Sequence, residues 1–347
     1  MYYNTHCMNK KILSVLQYIL FLGLSIFLVW WSIRDISAKG WEDIKNAFRN
    51  ANYLLIIPVM ITLLLSHFSR ALRWKILMGP LGYKPRVFNT YMAVLIGYMA
   101  NLAIPRLGEV LKCTILARYE KVPADKLVGT IVAERAFDVL CLLLVIIITI
   151  ATQADVIGGY LNETLQKIVQ TKAGAFSTTR IIILLAIVLL AVLAVIFIFK
   201  KFSHSNFIKK IKTIFEGIWH GITSVRYLKN KGWFIFHTVF IWTMYLLSVQ
   251  IGFWAMKETS IYGIPQALSV LTMGSLAMIV PAPGAGLGVY ALFVQNTMLA
   301  YGLKETLGFA FGQLMWSVQF FFALLSGFIA LSILPYFNKS ITVNEKS

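Results

Sequence analysis

Apolar residues run through this chain in long blocks, not in the short alternating rhythms of soluble strands and amphipathic helices. In order, the blocks cover residues 12–33, 52–69, 87–104, 127–150, 180–199, 232–256, 264–301 and 307–334, and several approach the roughly 20 residues needed to cross a bilayer. They predict an all-α polytopic membrane protein. Two blocks are broken in the same way, at Asn101-Leu-Ala-Ile-Pro-Arg-Leu-Gly-Glu109 and at Val280-Pro-Ala-Pro-Gly-Ala-Gly-Leu-Gly288. Proline and glycine interrupt the backbone hydrogen bonding that a spanning helix needs, and irregular backbone is tolerated at membrane depth only where protein or a watery cavity surrounds it.

The polar segments between blocks give the direction of each crossing. Residues up to Asn50 nearly balance acids and bases and read as external, whereas Arg70, Arg73, Lys75, Lys84 and Arg86 mark the cytoplasm. After the block 87–104 come Arg106, Lys112, Arg118, Lys121 and Lys126, so both flanks claim the same side. A re-entrant hairpin over residues 87–122, turning at Pro105 to Gly108, resolves the conflict. The block 264–301 has near-neutral flanks, Lys257-Glu258 and Lys304-Glu305, and reads as a second re-entrant hairpin entering from outside. The prediction is six full spans plus two re-entrant helical hairpins, with residues 12–150 repeated in inverted topology by 180–334. If both broken blocks cross fully, there are eight to ten spans and no such symmetry.

This reading divides the chain into a first membrane repeat, 1–150, a connecting region, 151–231, and the remainder of the second repeat with a short tail, 232–347. The connecting region holds an external loop over 151–178, a span, and a basic stretch from Lys200 to Lys231. There Phe207, Ile208, Ile211, Phe215, Ile218, Trp219, Ile222 and Val225 recur at helical spacing. An interfacial amphipathic helix is expected, with a solvated linker as the alternative. Both termini are placed in the cytoplasm and the protein in the cytoplasmic membrane. Met8 is an alternative start to Met1.

Composition sharpens this class. The chain is 59% hydrophobic and 13% charged, with a mean hydropathy of +0.74 and a net charge of +18. Its bases sit between apolar blocks, so orientation signals and anionic lipid explain them better than nucleic acid does. The three cysteines, Cys7, Cys113 and Cys141, are too scattered for a disulfide framework or a metal pair, and the histidines show no metal-site spacing. No metal, cofactor or nucleotide motif is expected.

Charges inside apolar blocks are expensive, at about 2.5–3.5 kcal/mol on insertion scales, and mark candidate sites. One group is Arg106, Glu109 and Lys112 at the first break, where a helix restarting at Leu107 or Gly108 would offer free N–H groups to an anion. The other is Glu134, Arg135 and Asp138, with the two carboxylates on one face at i, i+4 and Arg106 or Lys112 as counter-charges. This second group is either a gate or coupling site, or a salt-bridge cluster that pins hairpin to span. Arg70 and Arg73 with Trp74 are a lipid-phosphate contact or a membrane-interface anchor. At the second break, Pro281, Pro283, Gly284, Gly286 and Gly288 supply bare backbone and helix ends.

The ordered set Arg70-Ala-Leu-Arg-Trp74, Asn101 to Glu109, Glu134-Arg-Ala-Phe-Asp138 and Pro281 to Gly288 resembles the flippase-like membrane domain of lysylphosphatidylglycerol synthases, which also occurs as stand-alone membrane proteins. The resemblance implies lipid translocation, with the two broken helices facing each other around a headgroup. It also implies headgroup contacts from Arg70, Arg73, Asn101, Pro105, Arg106, Gly108, Glu109 and Lys112 and from the second break. The acidic residue usual after that break is absent where Tyr290 and Ala291 stand. The chain ends twelve residues past Pro335, so no aminoacyl-transferase domain and no lipid synthesis are expected. A non-enzymatic flippase for an anionic phospholipid or lipid-linked precursor, working without ATP hydrolysis, is the leading reading. An intramembrane lipid-phosphate enzyme and a small-solute transporter are the competitors. Anionic lipids are the expected partners, with room for a homodimer and a separate lipid-modifying enzyme.

Overall fold

The computed structural model describes residues 36–156, 228–280 and 282–344, with a few positions between 23 and 34 and residue 159. The expected span 180–199, the basic amphipathic segment as far as residue 227, and most of 12–33 and of the loop 151–178 lie outside the described residues. Among the described residues there is no strand. Ten α-helices follow in order: α1 (Ala38–Arg49), α2 (Ile56–Met78), α3 (Val87–Ala103), α4 (Leu107–Glu120), α5 (Ala124–Thr152), α6 (Lys231–Ala255), α7 (Ile264–Ala277), the one-turn α8 (Pro283–Gly286), α9 (Val289–Ala300) and α10 (Glu305–Asn344), with short 3-10 turns at Tyr53–Leu55 and Gly79–Leu81 flanking α2.

Three described helical segments, Tyr53–Leu81, Lys231–Ala255 and Glu305–Lys339, are long and apolar enough to cross a membrane, and α3, α7 and α9 are shorter apolar helices. The outward faces are apolar as well. Leu143, Leu144, Ile147, Trp233, Phe236, Phe321, Phe328 and Ile329 are all exposed, a surface that suits hydrocarbon and not water. The protein is a multi-pass helical membrane protein.

α2 and α6 form an antiparallel pair along most of their length. The Asn52 N–H donates to the Ala255 carbonyl at 2.7 Å at one end, and Ser69 Oγ meets His237 Nδ1 at 2.9 Å further along. α3 and α4 fold into a hairpin. Its turn is fixed by Asn101, whose Oδ1 accepts from the Gly108 N–H at 2.7 Å, and by the close passage of Gly97 against Gly108, where neither position has room for a side chain. At the open end, Glu120 accepts from the Arg86 N–H at 3.0 Å and from Asn89 Nδ2, so α4 ends beside the start of α3.

α7 and α9 make a second hairpin with a wider turn. Tyr290 lies against Gly274 inside it, and at its open end the Tyr301 hydroxyl meets Ser269 Oγ at 2.7 Å. α5 relates the two hairpins. Its N-terminal end directly follows the open end of the first, while Gln153, just past its C-terminal end, accepts from the Tyr301 hydroxyl at 3.0 Å at the open end of the second. The hairpins therefore open toward opposite ends of the helical body. The second hairpin's turn, α8, packs on α3 and α10, with Trp316 Nε1 donating to the Gly284 carbonyl at 2.9 Å.

Charge is segregated between the two ends. Lys75, Lys84, Arg86, Arg118, Lys121, Lys126, Lys229, Lys231 and Lys339 belong to the end where the first hairpin opens, against Glu120 and Asp125. At the other end, Arg34, Lys39, Lys45, Arg49, Lys257 and Lys304 are nearly balanced by Glu42, Asp43, Asp155, Glu258 and Glu305. The near-neutral segment before Asn50 is itself a helix, α1. Ser37 Oγ caps it by accepting from the Gly40 N–H at 3.2 Å, Ile44 and Ala47 enter the core, and Asp43 pairs with Lys304 at 3.2 Å.

Candidate functional site: a buried cationic cluster

Sequence pattern ends the second span at residue 69, but α2 runs on to Met78 and carries Arg70, Arg73 and Trp74 inside the body. The i, i+3, i+4 spacing puts all three on the face that packs against α5. Arg70 and Arg73 are 4% and 0% exposed, so the interface-anchor reading of these arginines is corrected. They are buried because α5 brings counter-charges to them. Arg70 Nη1 lies 2.7 Å from both Glu134 Oε1 and Asp138 Oδ2, and Arg73 Nη2 lies 2.6 Å from Asp138 Oδ1.

The first hairpin contributes the third cation. Lys112, on α4, places Nζ 2.9 Å from Glu134 Oε2 and 4.7 Å from the centre of the Trp74 ring, whose Nε1 donates to Thr130 Oγ1 at 2.8 Å. Each Glu134 oxygen thus has its own cation, which is the condition for holding a fully buried carboxylate charged. Arg135 adds a fourth cation at longer range, 3.5 Å from Glu134 and 3.8 Å from Asp138. The cluster therefore sets Arg70, Arg73, Lys112 and Arg135 against Glu134 and Asp138, an excess of positive charge among apolar helices.

Two tyrosines complete the surroundings. The Tyr245 hydroxyl, on α6, accepts from Arg70 Nη2 at 3.2 Å, and Tyr98, on α3, stacks on His67 with ring centres 3.9 Å apart and lies 6.0 Å from the Arg70 guanidinium. Sequence reading passed over both, although a tyrosine in the middle of an apolar block is the signal that would have found them. His67 is a packed core histidine, 5% exposed. Arg70 Nε and Arg73 Nε are buried with no hydrogen-bond partner among the described residues.

The lysylphosphatidylglycerol synthase TM region family matches the chain over residues 18–327, which takes in every residue of this cluster. The chain belongs to that family. A relative of it, a UPF0104 membrane protein of Methanocaldococcus jannaschii, is 23% identical over 309 residues, covering 85% of this chain and 89% of the relative. No solved structure matches the chain.

The other residues singled out in this family member fall into two places. Pro105 and Arg106 form the turn of the first hairpin. Arg106 is exposed, caps α4 in the left-handed region with φ of 70°, and forms no ion pair among the described residues. It is therefore not the counter-charge for Glu134 or Asp138; Lys112 answers Glu134, and Arg70 and Arg73 answer Asp138. The N-terminus of α4 is also less open to an anion than expected. The Leu107 N–H already donates to the Ile104 carbonyl and the Gly108 N–H to Asn101, and Glu109 brings negative charge into the first turn. Glu109 Oε2 is buried without a partner among the described residues.

The second break carries no charge. Gly284, Gly286 and Gly288 take φ of 68°, 77° and 77°, values that L side chains adopt only under strain, which explains glycine at each. Pro283 opens α8 and Pro281 lies outside the described residues. In place of the family's acidic residue stands Tyr290, 4% exposed and packed against Gly274.

Proposed function

We infer that this protein moves an anionic phospholipid or lipid-linked precursor between the two leaflets without ATP, as a transporter and not as an enzyme. The observation that carries the reading is the buried excess of positive charge on α2, α4 and α5, next to the turn of a hairpin and surrounded by apolar helices. A permanent excess of charge at such depth is costly unless an anion joins it, and a lipid phosphate brings that anion while its tails stay in hydrocarbon. The carboxylates are engaged in ion pairs, which favours a binding frame over acid–base chemistry.

The same reading takes the two hairpins as re-entrant halves of an inverted repeat with six full spans, and the basic end as cytoplasmic, with both termini there. Support comes from the opposite opening of the hairpins about α5 and from the one-sided distribution of Lys and Arg. Cysteines placed at Lys121 and Ser260, both exposed, test the topology. An impermeant thiol reagent is expected to reach Lys121→Cys from the cytoplasm and Ser260→Cys from outside; labelling of both from one side refutes the inverted arrangement.

Transport is tested with purified protein in vesicles containing fluorescent phosphatidylglycerol and an impermeant quencher. The protein is expected to speed exposure of the inner-leaflet probe, and Lys112→Met to slow it about tenfold by removing one positive charge of the cluster and leaving Glu134 without its nearest cation on that oxygen. A rate equal to that of empty vesicles, across the anionic lipids of a bacterial extract, sinks the proposal.

A further inference from the structure

The four cations of the cluster are not equivalent. Arg70, Arg73 and Lys112 have side-chain exposures of 5%, 0% and 6% and sit 2.6–2.9 Å from carboxylate oxygens. Their positions are set by short charged hydrogen bonds, and moving any of them leaves a carboxylate exposed to apolar surroundings. Arg135 differs on both counts. Its side chain is 44% exposed, its approaches to Glu134 and Asp138 are 3.5 and 3.8 Å, and among the described residues no hydrogen bond engages its guanidinium.

We propose that Arg135 is the residue that takes the phosphate oxygens of the lipid, and that Arg70, Arg73 and Lys112 form the fixed frame that holds the two carboxylates. Glu134 and Asp138 already have short-range partners, so Arg135 is surplus to their neutralisation and keeps a planar fork of donors free. That fork matches two oxygens of a phosphate ester. Its location fits the task as well. Arg135 lies on the exposed side of α5, one residue from the buried Glu134 that Lys112 of the first hairpin answers. A phosphate that docks on Arg135 meets the net positive cluster behind it, while the loose contacts to Glu134 and Asp138 give the guanidinium a resting place when no anion is present.

The inference rests on the reading of the cluster as a lipid-phosphate site, but its test does not depend on transport. Full-length protein purified in detergent is mixed with phosphatidylglycerol or with diacylglycerol, and retained lipid is counted by native mass spectrometry. Phosphatidylglycerol is expected to be retained in preference to diacylglycerol. Arg135→Gln is expected to weaken that retention about tenfold and Arg135→Lys to restore part of it, with the melting temperature unchanged in both. Glycerol 3-phosphate at millimolar concentration displaces the lipid if the site accepts the free ester, and leaves it bound if the phosphate must come from the bilayer.

Equal retention by wild type and Arg135→Gln overturns the proposal, as does loss of retention in Lys112→Met alone. Protein that holds phosphatidylglycerol through Arg135 but leaves vesicle lipid static refutes transport and keeps this site. Fast transport that Arg135→Gln does not alter does the reverse.

Discussion

The two helical hairpins are built on the same plan and given opposite chemistry. In each, a glycine on the first helix lets the second pass closely, Gly97 against Gly108 and Gly274 against Tyr290, and polar contacts join the open ends. The first hairpin, however, meets α5 through Lys112 and Glu134, a fully buried ion pair. The second meets the same helix through Thr149 and Thr272, whose hydroxyls lie 2.7 Å apart. One half of the molecule thus stakes its packing on charge, and the other on neutral hydrogen bonds and close van der Waals contact. Charge is directional and intolerant of a missing partner, so the first hairpin is specified more sharply and is more easily broken.

Substitutions that separate the two halves follow from this contrast. The largest effect is expected from Glu134→Gln, which leaves Lys112, Arg70 and Arg73 facing one remaining carboxylate; a loss of about 3–5 kcal/mol should appear as a steep fall in melting temperature and in yield. If Glu134→Gln melts like wild type, the cluster is not what holds the first hairpin to α5. Next comes Gly108→Ala. Its new methyl would meet the Gly97 carbonyl and the Asn101 side chain, which cannot retreat without opening the hairpin, so about 1–3 kcal/mol should be lost.

The matching change in the other half, Gly274→Ala, meets the edge of the Tyr290 ring, which can shift, and should be the milder of the two in a paired melting experiment. Arg106→Gly tests the turn itself. Relief of the left-handed arginine is worth about 1 kcal/mol, so the melting temperature should rise slightly, whereas a fall would mean that the Arg106 side chain contributes to folding. The smallest effect is expected from Thr149→Val, about 0.6 kcal/mol, in keeping with hydrogen bonds between membrane helices. A loss as large as that of Glu134→Gln would erase the distinction drawn between the halves.

Much of the architecture was legible in the sequence because the features that announce it are local. Apolar block length gave the helices; proline and glycine at Pro105 to Gly108 and at Pro281 to Gly288 gave the two turns; paired basic flanks gave the hairpin character of residues 87–122. The site was legible only in part. Glu134 and Asp138 were recognisable as needing a cation because their i, i+4 spacing lies within one block, and Lys112 was one of the two partners that spacing offered. Arg70 and Arg73 were harder. They stand where an apolar block ends, and the same residues serve equally as a membrane-interface anchor until α5 is seen beside them. Helix α1 escaped because its few apolar residues, Ile44 and Ala47 among them, become a core face only once α10 is there to receive them.

The sequence by itself determined that this is a helical membrane protein of this family, where its helices break, and which residues carry charge at depth, since hydropathy, backbone chemistry and residue identity are properties of neighbours in the chain. Only the tertiary structure decided which cation answers which carboxylate, that Arg106 stays outside the cluster while Arg70 and Arg73 enter it, and that Arg135 is left loosely held. The physical reason is range: a charge-assisted hydrogen bond needs its partners within about 3 Å, and the partners here are brought together from helices far apart in the chain by packing that no single segment encodes.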